Sequence, residues 1–326
     1  MKYNYVIFGA SQDFYKISYN DINNLSNAYY SYRNIDSDSR ILSDLYRLHT
    51  TPRINRIINL PMQKLWNCMI FRHTFLEDKP LCFIFFSGKD KMIKNGFVEY
   101  LKDKYLNSKF VYFYQDLVSL PRELSVSQIE SKFDILLSFD QKDAEKYGLF
   151  YYPLVYSPFD VPEDENIKQS DIYFVGKAKN RLKDIISVYE KLRSAGLKCD
   201  FHIVGVAPKD RKYANEIDYC IQMPYIENLK RIKKTKCLLE IMQIGGHGYT
   251  LRTCEAIMYD KKIITNNPEI EKAPFYSSEC IQTFKSVQQI DPNFIFREPI
   301  SVDYNYKEEL SPVHLLEFID REIQKI

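Results

Sequence analysis

The chain has 326 residues, 45% apolar and 15% aromatic, which excludes a disordered protein and suits two domains of comparable size better than one core. Forty-five basic against forty-three acidic residues leave a formal charge of +2, so no global attraction implies a nucleic-acid partner. The seven cysteines are odd in number and dispersed, without CxxC or the Cys/His spacing of a zinc site, and read as small hydrophobes in a reducing cytoplasm.

In chain order, Tyr5 to Phe8 is a first short strand, and Gly9 to Asp13 turns away from it without a GxGxxG fingerprint, which argues against a dinucleotide-binding dehydrogenase. Asp36 and Asp38 form a DxD pair with no strand leading into it, and Asn34, Ser37 and Ser39 around it mark a solvated turn. Residues 40–72 carry Arg40, Arg47, Arg53, Arg56, Lys64 and Arg72 against one acid, Asp44, interleaved with apolar residues and Trp66. Such a stretch can lie on anionic lipid or form a helical hairpin with wet arginines; both readings stand. Leu81 to Phe86 is a buried strand, far shorter than the roughly 20 apolar residues of a membrane span. With no signal peptide at the N-terminus, the expected location is the cytoplasm, at most peripheral on the inner face of a membrane. Phe97 to Tyr105 reads as a helix. Strands follow at Lys109 to Tyr114, ending in Asp116, and Phe133 to Phe139, ending in Asp140. Both aspartates lie beyond a strand's carboxyl end, where active sites occur and where helix caps also sit.

Three prolines between Tyr152 and Pro162, followed by Glu163 to Glu165, mark an interdomain linker. The division expected is 1–157, a linker at 158–170, a second domain at 171–300 and a C-terminal helix in 301–326. The second half alternates: strands at Ile172 to Val175, Phe201 to Val204 and Cys220 to Met223, a helix from Leu182 ended by Gly196, and a basic helix from Ile226 to Thr235. Gly176 and Lys177 close the first of these strands; Lys177 can meet an anion or simply be an exposed loop lysine. Ser311 to Ile326 is an amphipathic helix.

The chain is organised around Cys237 to Asn267. An apolar run breaks into Gly245, Gly246, His247 and Gly248, Thr250 opens a helix, and Lys262 to Thr265 is the next strand. Three of only ten glycines fall within four residues, where a parallel sheet presents a helix N-terminus to a phosphorylated ligand. Thr250 caps that helix, and Glu255, five residues on, is placed to accept from the vicinal hydroxyls of a ribose. His247 can serve chemistry or hydrogen-bond the loop backbone.

HGYTLRTCEAI followed by KKIITNNPEI resembles the sugar-nucleotide signature of GT-B fold glycosyltransferases, and FDILLSFDQKDAEKYGLFYYPLVY looks like bacterial capsule and lipopolysaccharide transferases of this type. The resemblance implies an α/β GT-B architecture, two Rossmann-like domains with parallel sheets facing a central cleft. It also implies Glu255 on the donor ribose, Thr250, Leu251 and Arg252 against the diphosphate with Gly248 before them, and Tyr225 beside the base. The family's first glutamate, eight residues before the second, is His247 here.

Breaking a sugar–diphosphate bond loads charge onto the leaving phosphate, so fixed cations and N–H donors are required. Lys177, Arg252 and the helix N-terminus can supply them without a metal, and no cofactor is expected beyond the nucleotide-sugar substrate. An inverting reaction also needs a base for the acceptor proton; Asp116 is the first candidate, then Asp13 and Asp140. The function expected is transfer of a sugar from a nucleotide-sugar donor to a saccharide acceptor, lipid-linked, in surface polysaccharide synthesis. The alternatives are a sugar-nucleotide epimerase of the same fold and a non-catalytic GT-B-like subunit.

Overall fold

The computed structural model describes residues 1–51, 62–121, 123–243, 248–299 and 302–326. Arg53, Arg56, Gly245, Gly246 and His247 lie outside the described residues. The chain divides into two compact units, Met1–Pro153 with Pro312–Ile326, and Leu154–Ser311.

The first unit is built on a parallel sheet of β1 (Asn4–Phe8), β2 (Ala28–Ser31), β3 (Leu81–Phe86), β4 (Lys109–Tyr114), β5 (Ile135–Ser138) and β6 (Phe150–Tyr151), in the order β2-β1-β3-β4-β5-β6. A parallel sheet covered on both faces needs strands apolar on both sides. LCFIFF and KFVYFY meet that demand, and Phe83, Phe85, Phe110 and Tyr112 are buried in one core with Phe8, Phe97 and Phe133. The Pro312–Ile323 helix belongs to this unit: Leu315, Leu316 and Ile319 are buried, and Asp320 accepts from the Lys2 amide at 2.8 Å and the Tyr5 hydroxyl at 2.6 Å.

The second unit carries a five-stranded parallel sheet: β7 (Ser170–Lys177), β8 (Cys199–Val204), β9 (Thr235–Glu240), β10 (Lys262–Thr265) and β11 (Ile281–Thr283), ordered β11-β10-β9-β7-β8. In each unit the second strand lies outside the first and the third on its other side. The order therefore reverses between β1 and β3 in one and between β7 and β9 in the other, the switch points where open α/β sheets bind ligands.

Two features correct the sequence reading. Cys220 to Met223 is not a strand: the chain touches the β8 edge only where Asp218 pairs with His202, and Ile221 is 94% exposed ahead of Pro224. Conversely β2, β6 and β11, of four, two and three residues, are too short to carry a periodic signal. The DxD residues are engaged in the turn: Asp36 accepts from the Arg72 amide at 3.1 Å and Asp38 pairs with Arg33 at 2.5 Å.

Candidate functional site

At the switch point of the second unit, the chain leaves β7 through Gly176 to Arg181 and β9 through Ile241 to Thr250. Gly176 leaves room there: a Cβ would stand 3.1 Å from Arg181 Nη2 and 3.3 Å from the Phe174 ring, so a larger residue would require these side chains to shift by a few tenths of an ångström. That space lets Arg181 fold over the strand end, donating to the Lys177 carbonyl at 3.3 and 3.2 Å and to the Ile241 carbonyl. Lys179 reaches Gln243 Oε1 at 2.6 Å. From the neighbouring strand, Asn266 Oδ1 takes the Met242 amide at 2.6 Å and Asn267 Nδ2 donates to the Gly248 carbonyl at 2.9 Å. Loops after three strands are thus tied into one edge bearing Lys177, Lys179 and Arg181. Burial pushes the Arg181 guanidinium below its ordinary value, Glu240 opposing and the nearby Arg252 adding to the effect.

The helix Leu251–Met258 starts at this edge, and Thr250 caps it as expected, accepting from the Arg252 amide at 3.0 Å. The Thr250 hydroxyl in turn donates to Glu240 Oε1, which also receives Thr253 at 3.2 Å, while Thr265 donates to Glu240 Oε2 at 2.5 Å. Glu240 is buried and joins β9, the helix and β10 through three hydroxyls. Nothing in its sequence setting, an acid closing an apolar run, singled it out. Arg181, Lys179 and Asn228 were also missed, because their roles depend on which strands adjoin.

Glu255 lies fully buried one turn inside the helix. Its Oε1 accepts from the Tyr225 hydroxyl and from Asn228 Nδ2, each at 2.8 Å, and its Oε2 lies 2.6 Å from Arg252 Nη1. Tyr156 Oη is 2.8 Å from Tyr225 Oη. Arg252 also reaches the Val175 carbonyl and Asn228 Oδ1, both at 3.4 Å, and lies 5.6 Å from the Tyr173 ring centre. Burial raises the Glu255 carboxyl above its usual range against the pull of Arg252, Tyr225 and Asn228, whereas for Arg252 burial, the largest single effect, is outweighed by Glu255 together with Tyr173, Tyr225 and Glu240, which hold the guanidinium up. Burial, then Glu255, drives the Tyr225 hydroxyl well upward.

Gly176, Lys177, Tyr225, Gly248, Thr250, Leu251, Arg252 and Glu255 are therefore all placed in one unit, around one sheet edge or directly beneath it. The candidate bases lie in the other unit, at the ends of three different strands. Asp13 begins a helix after β1 and is exposed, with Lys16 at 2.9 Å. Asp116, half-buried, follows β4. Asp140 follows β5, buried, and caps the next helix by accepting from the Asp143 amide at 2.9 Å.

No protein-family model matches the sequence, and no curated protein is similar to it. Solved structures are similar in fold. A UDP-forming α,α-trehalose-phosphate synthase from Burkholderia xenovorans superposes with a TM-score of 0.54 at 8% identity, covering 99% of each chain. A protein assigned as a UDP-N-acetylglucosamine 2-epimerase from Listeria monocytogenes gives 0.53 at 7% identity, over 99% of this chain and 98% of that one. The two parallel α/β sheets, one per unit, and these likenesses establish that the chain has the GT-B fold.

Proposed function

We propose that the chain is a glycosyltransferase that takes a sugar from a nucleotide-sugar donor and passes it to a saccharide acceptor without a metal. One observation carries the reading: Lys177, Lys179, Arg181 and the N-terminus of the Leu251–Met258 helix converge at the β7/β9 switch point, where a diphosphate would be met by fixed cations and backbone N–H groups. In this scheme the edge neutralises the charge that develops on the leaving diphosphate. Arg252, anchored by Glu255, holds the helix start against β7, and Glu255 takes the donor ribose by exchanging the Tyr225 or Asn228 hydrogen bond for a ribose hydroxyl. Tyr225 then stands beside the base, and Asp116 or Asp13 serves the acceptor proton.

The acceptor in this reading is lipid-linked and the product a capsular or lipopolysaccharide saccharide, with the first unit resting on anionic lipid. No helix among the described residues is long and apolar enough to cross a membrane. The Arg40–His49 helix supports contact with a surface instead: Ile41, Leu45 and Leu48 recur on one face and are exposed, while Leu42 and Tyr46 pack into the core.

The likeness of fold to an epimerase favours one other reading, in which the same edge binds donor and no acceptor is used. A thermal-shift panel of UDP, GDP and their sugars tests the donor site, since specific binding raises stability with the logarithm of ligand concentration. Incubating the stabilising sugar nucleotide without acceptor then separates the two. Release of nucleotide only when a saccharide is added supports transfer, and epimerised donor alone overturns it. If no nucleoside diphosphate stabilises the protein, both readings fall.

A further inference from the structure

The edge strand β8 carries a cluster unconnected with phosphate chemistry. A single bridge holds the following chain against it: the Asp218 amide donates to the Phe201 carbonyl at 3.0 Å and the Ile203 amide to the Asp218 carbonyl at 2.8 Å. This pairing sets Asp218 beside His202 and brings Cys220 to the same place, so that one ligand atom from each lies within 4.8 Å of the others. The geometry points to a binding site for a zinc-class divalent cation, with His202 Nδ1, an Asp218 carboxylate oxygen and Cys220 Sγ as ligands and a fourth position left to water.

Three observations support this assignment. First, the donor set of imidazole, carboxylate and thiolate suits zinc, and the thiol would lose its proton to solvent on binding. Second, the imidazole is already oriented. Its Nε2 lies 2.7 Å from Asp200 Oδ1, and Asp200 is held in turn by Arg231 at 2.9 and 3.2 Å. A carboxylate behind the imidazole fixes the tautomer that leaves Nδ1 free for a metal, the usual arrangement behind zinc-bound histidines. Third, the His202–Asp218 half of the site needs little movement, and Cys220 Sγ lies within 4.8 Å of both. Tetrahedral zinc with bonds of about 2.0 to 2.3 Å separates its ligand atoms by about 3.3 to 3.6 Å. His202 Nδ1 and Asp218 Oδ2, now 2.7 Å apart, would open by less than about an ångström, and the Asp218 side chain is 56% exposed and able to turn. His202, 4% exposed, supplies the rigid side of the site.

The consequence is local. Cys220 stands five residues before Tyr225, so a bound ion would pin the segment that delivers Tyr225 and Asn228 to Glu255. It would act on position, with no part in bond cleavage.

The test uses the full chain in a Cys68→Ser background, which removes the exposed thiol, and cobalt(II) as a spectroscopic stand-in for zinc. The expected result is saturation at one cobalt per chain, with near-ultraviolet thiolate-to-cobalt absorption and the intense visible bands of tetrahedral cobalt. Cys220→Ser should abolish the thiolate absorption, and Asp218→Asn should weaken binding at least about tenfold. Zinc should raise the melting temperature of the background protein and leave that of Cys220→Ser unmoved. Absence of saturable binding, or a thiolate band that survives Cys220→Ser, would show that His202 and Asp218 form only a hydrogen-bonded pair and would overturn the site.

Discussion

Tyr225 donates its hydroxyl to Glu255 Oε1 across 2.8 Å, joining two helices 30 residues apart in sequence beneath the β7/β9 edge. With Asn228 on the same oxygen and the Arg252 guanidinium 2.6 Å from the other, the carboxylate is enclosed, its buried Oε2 held by the ion pair without a hydrogen bond.

The first prediction follows from that closure. Glu255→Ala leaves the buried Arg252 guanidinium without a counter-charge, and breaking such a pair costs about 3–5 kcal/mol. Glu255→Gln keeps an oxygen for Tyr225 and Asn228 and should lose less. In the folded Gln variant, nucleotide binding should fall by the value of a charged hydrogen bond, about 1.5 to 3 kcal/mol. Urea unfolding and nucleotide titration check both parts. Unchanged affinity in Glu255→Gln would remove the ribose role.

Metal dependence is the second. Because the cations assigned to the diphosphate are protein side chains, turnover should persist in excess chelator, any partial loss being restored by zinc through the His202–Asp218–Cys220 site and not by magnesium or manganese. A complete loss in EDTA that magnesium or manganese restores would return the diphosphate to a metal and reopen the Asp36/Asp38 turn.

The third concerns the surface of the first unit. The protein should float with anionic liposomes at low salt and detach as salt rises, since charges are screened over about 8 Å at physiological ionic strength. Each basic residue contributes about 1 kcal/mol. The stripe adds apolar area, because Ile41 is 74% and Leu48 57% exposed. Changing Leu45, Arg47 and Leu48 together to glutamine should abolish flotation while leaving the melting temperature near that of the parent. Equal flotation of parent and variant would make this an ordinary solvent-facing helix.

Lys89 provides a pH test. It is 8% exposed just beyond β3, and burial lowers its ammonium from 10.5 to about 8. The folded state thus releases its proton at lower pH than the unfolded chain, which binds more protons between the two values, so this residue makes stability rise as pH climbs from about 8 to 10.5. Lys89→Met should stabilise the protein at pH 7 by up to about 3 kcal/mol, and the gain should vanish above pH 10.5. Urea unfolding at pH 7 and pH 10 measures the difference. An equal gain at both would mean that Lys89 is not a buried charge.

What was legible from sequence was whatever a local pattern can carry. β3 and β4 were read to the residue, because a strand buried on both faces is an uninterrupted apolar run bounded by polar turns. The Leu182–Ser194 helix was read from its spacing and from Gly196, which takes φ +81° just past its end, and the Thr250 cap from residue type and position. Of the edge after β7 and β9, Lys177 and the helix start at Thr250 were named from the local pattern, whereas Lys179 and Arg181 were not.

Only the tertiary structure decided what those residues touch. That β9 pairs with β7, passing over β8, brings Arg181 to Ile241 and Arg252 to Val175, 60 and 77 residues apart. The same long-range order closes Glu255 with Tyr225, joins three elements through Glu240, and lays Asp218 against His202 where the apolar run before Pro224 had suggested a strand of its own. A strand's neighbour is chosen by how two sheet faces are covered and by which backbone groups remain to be paired, a property of the whole unit that no window of residues contains.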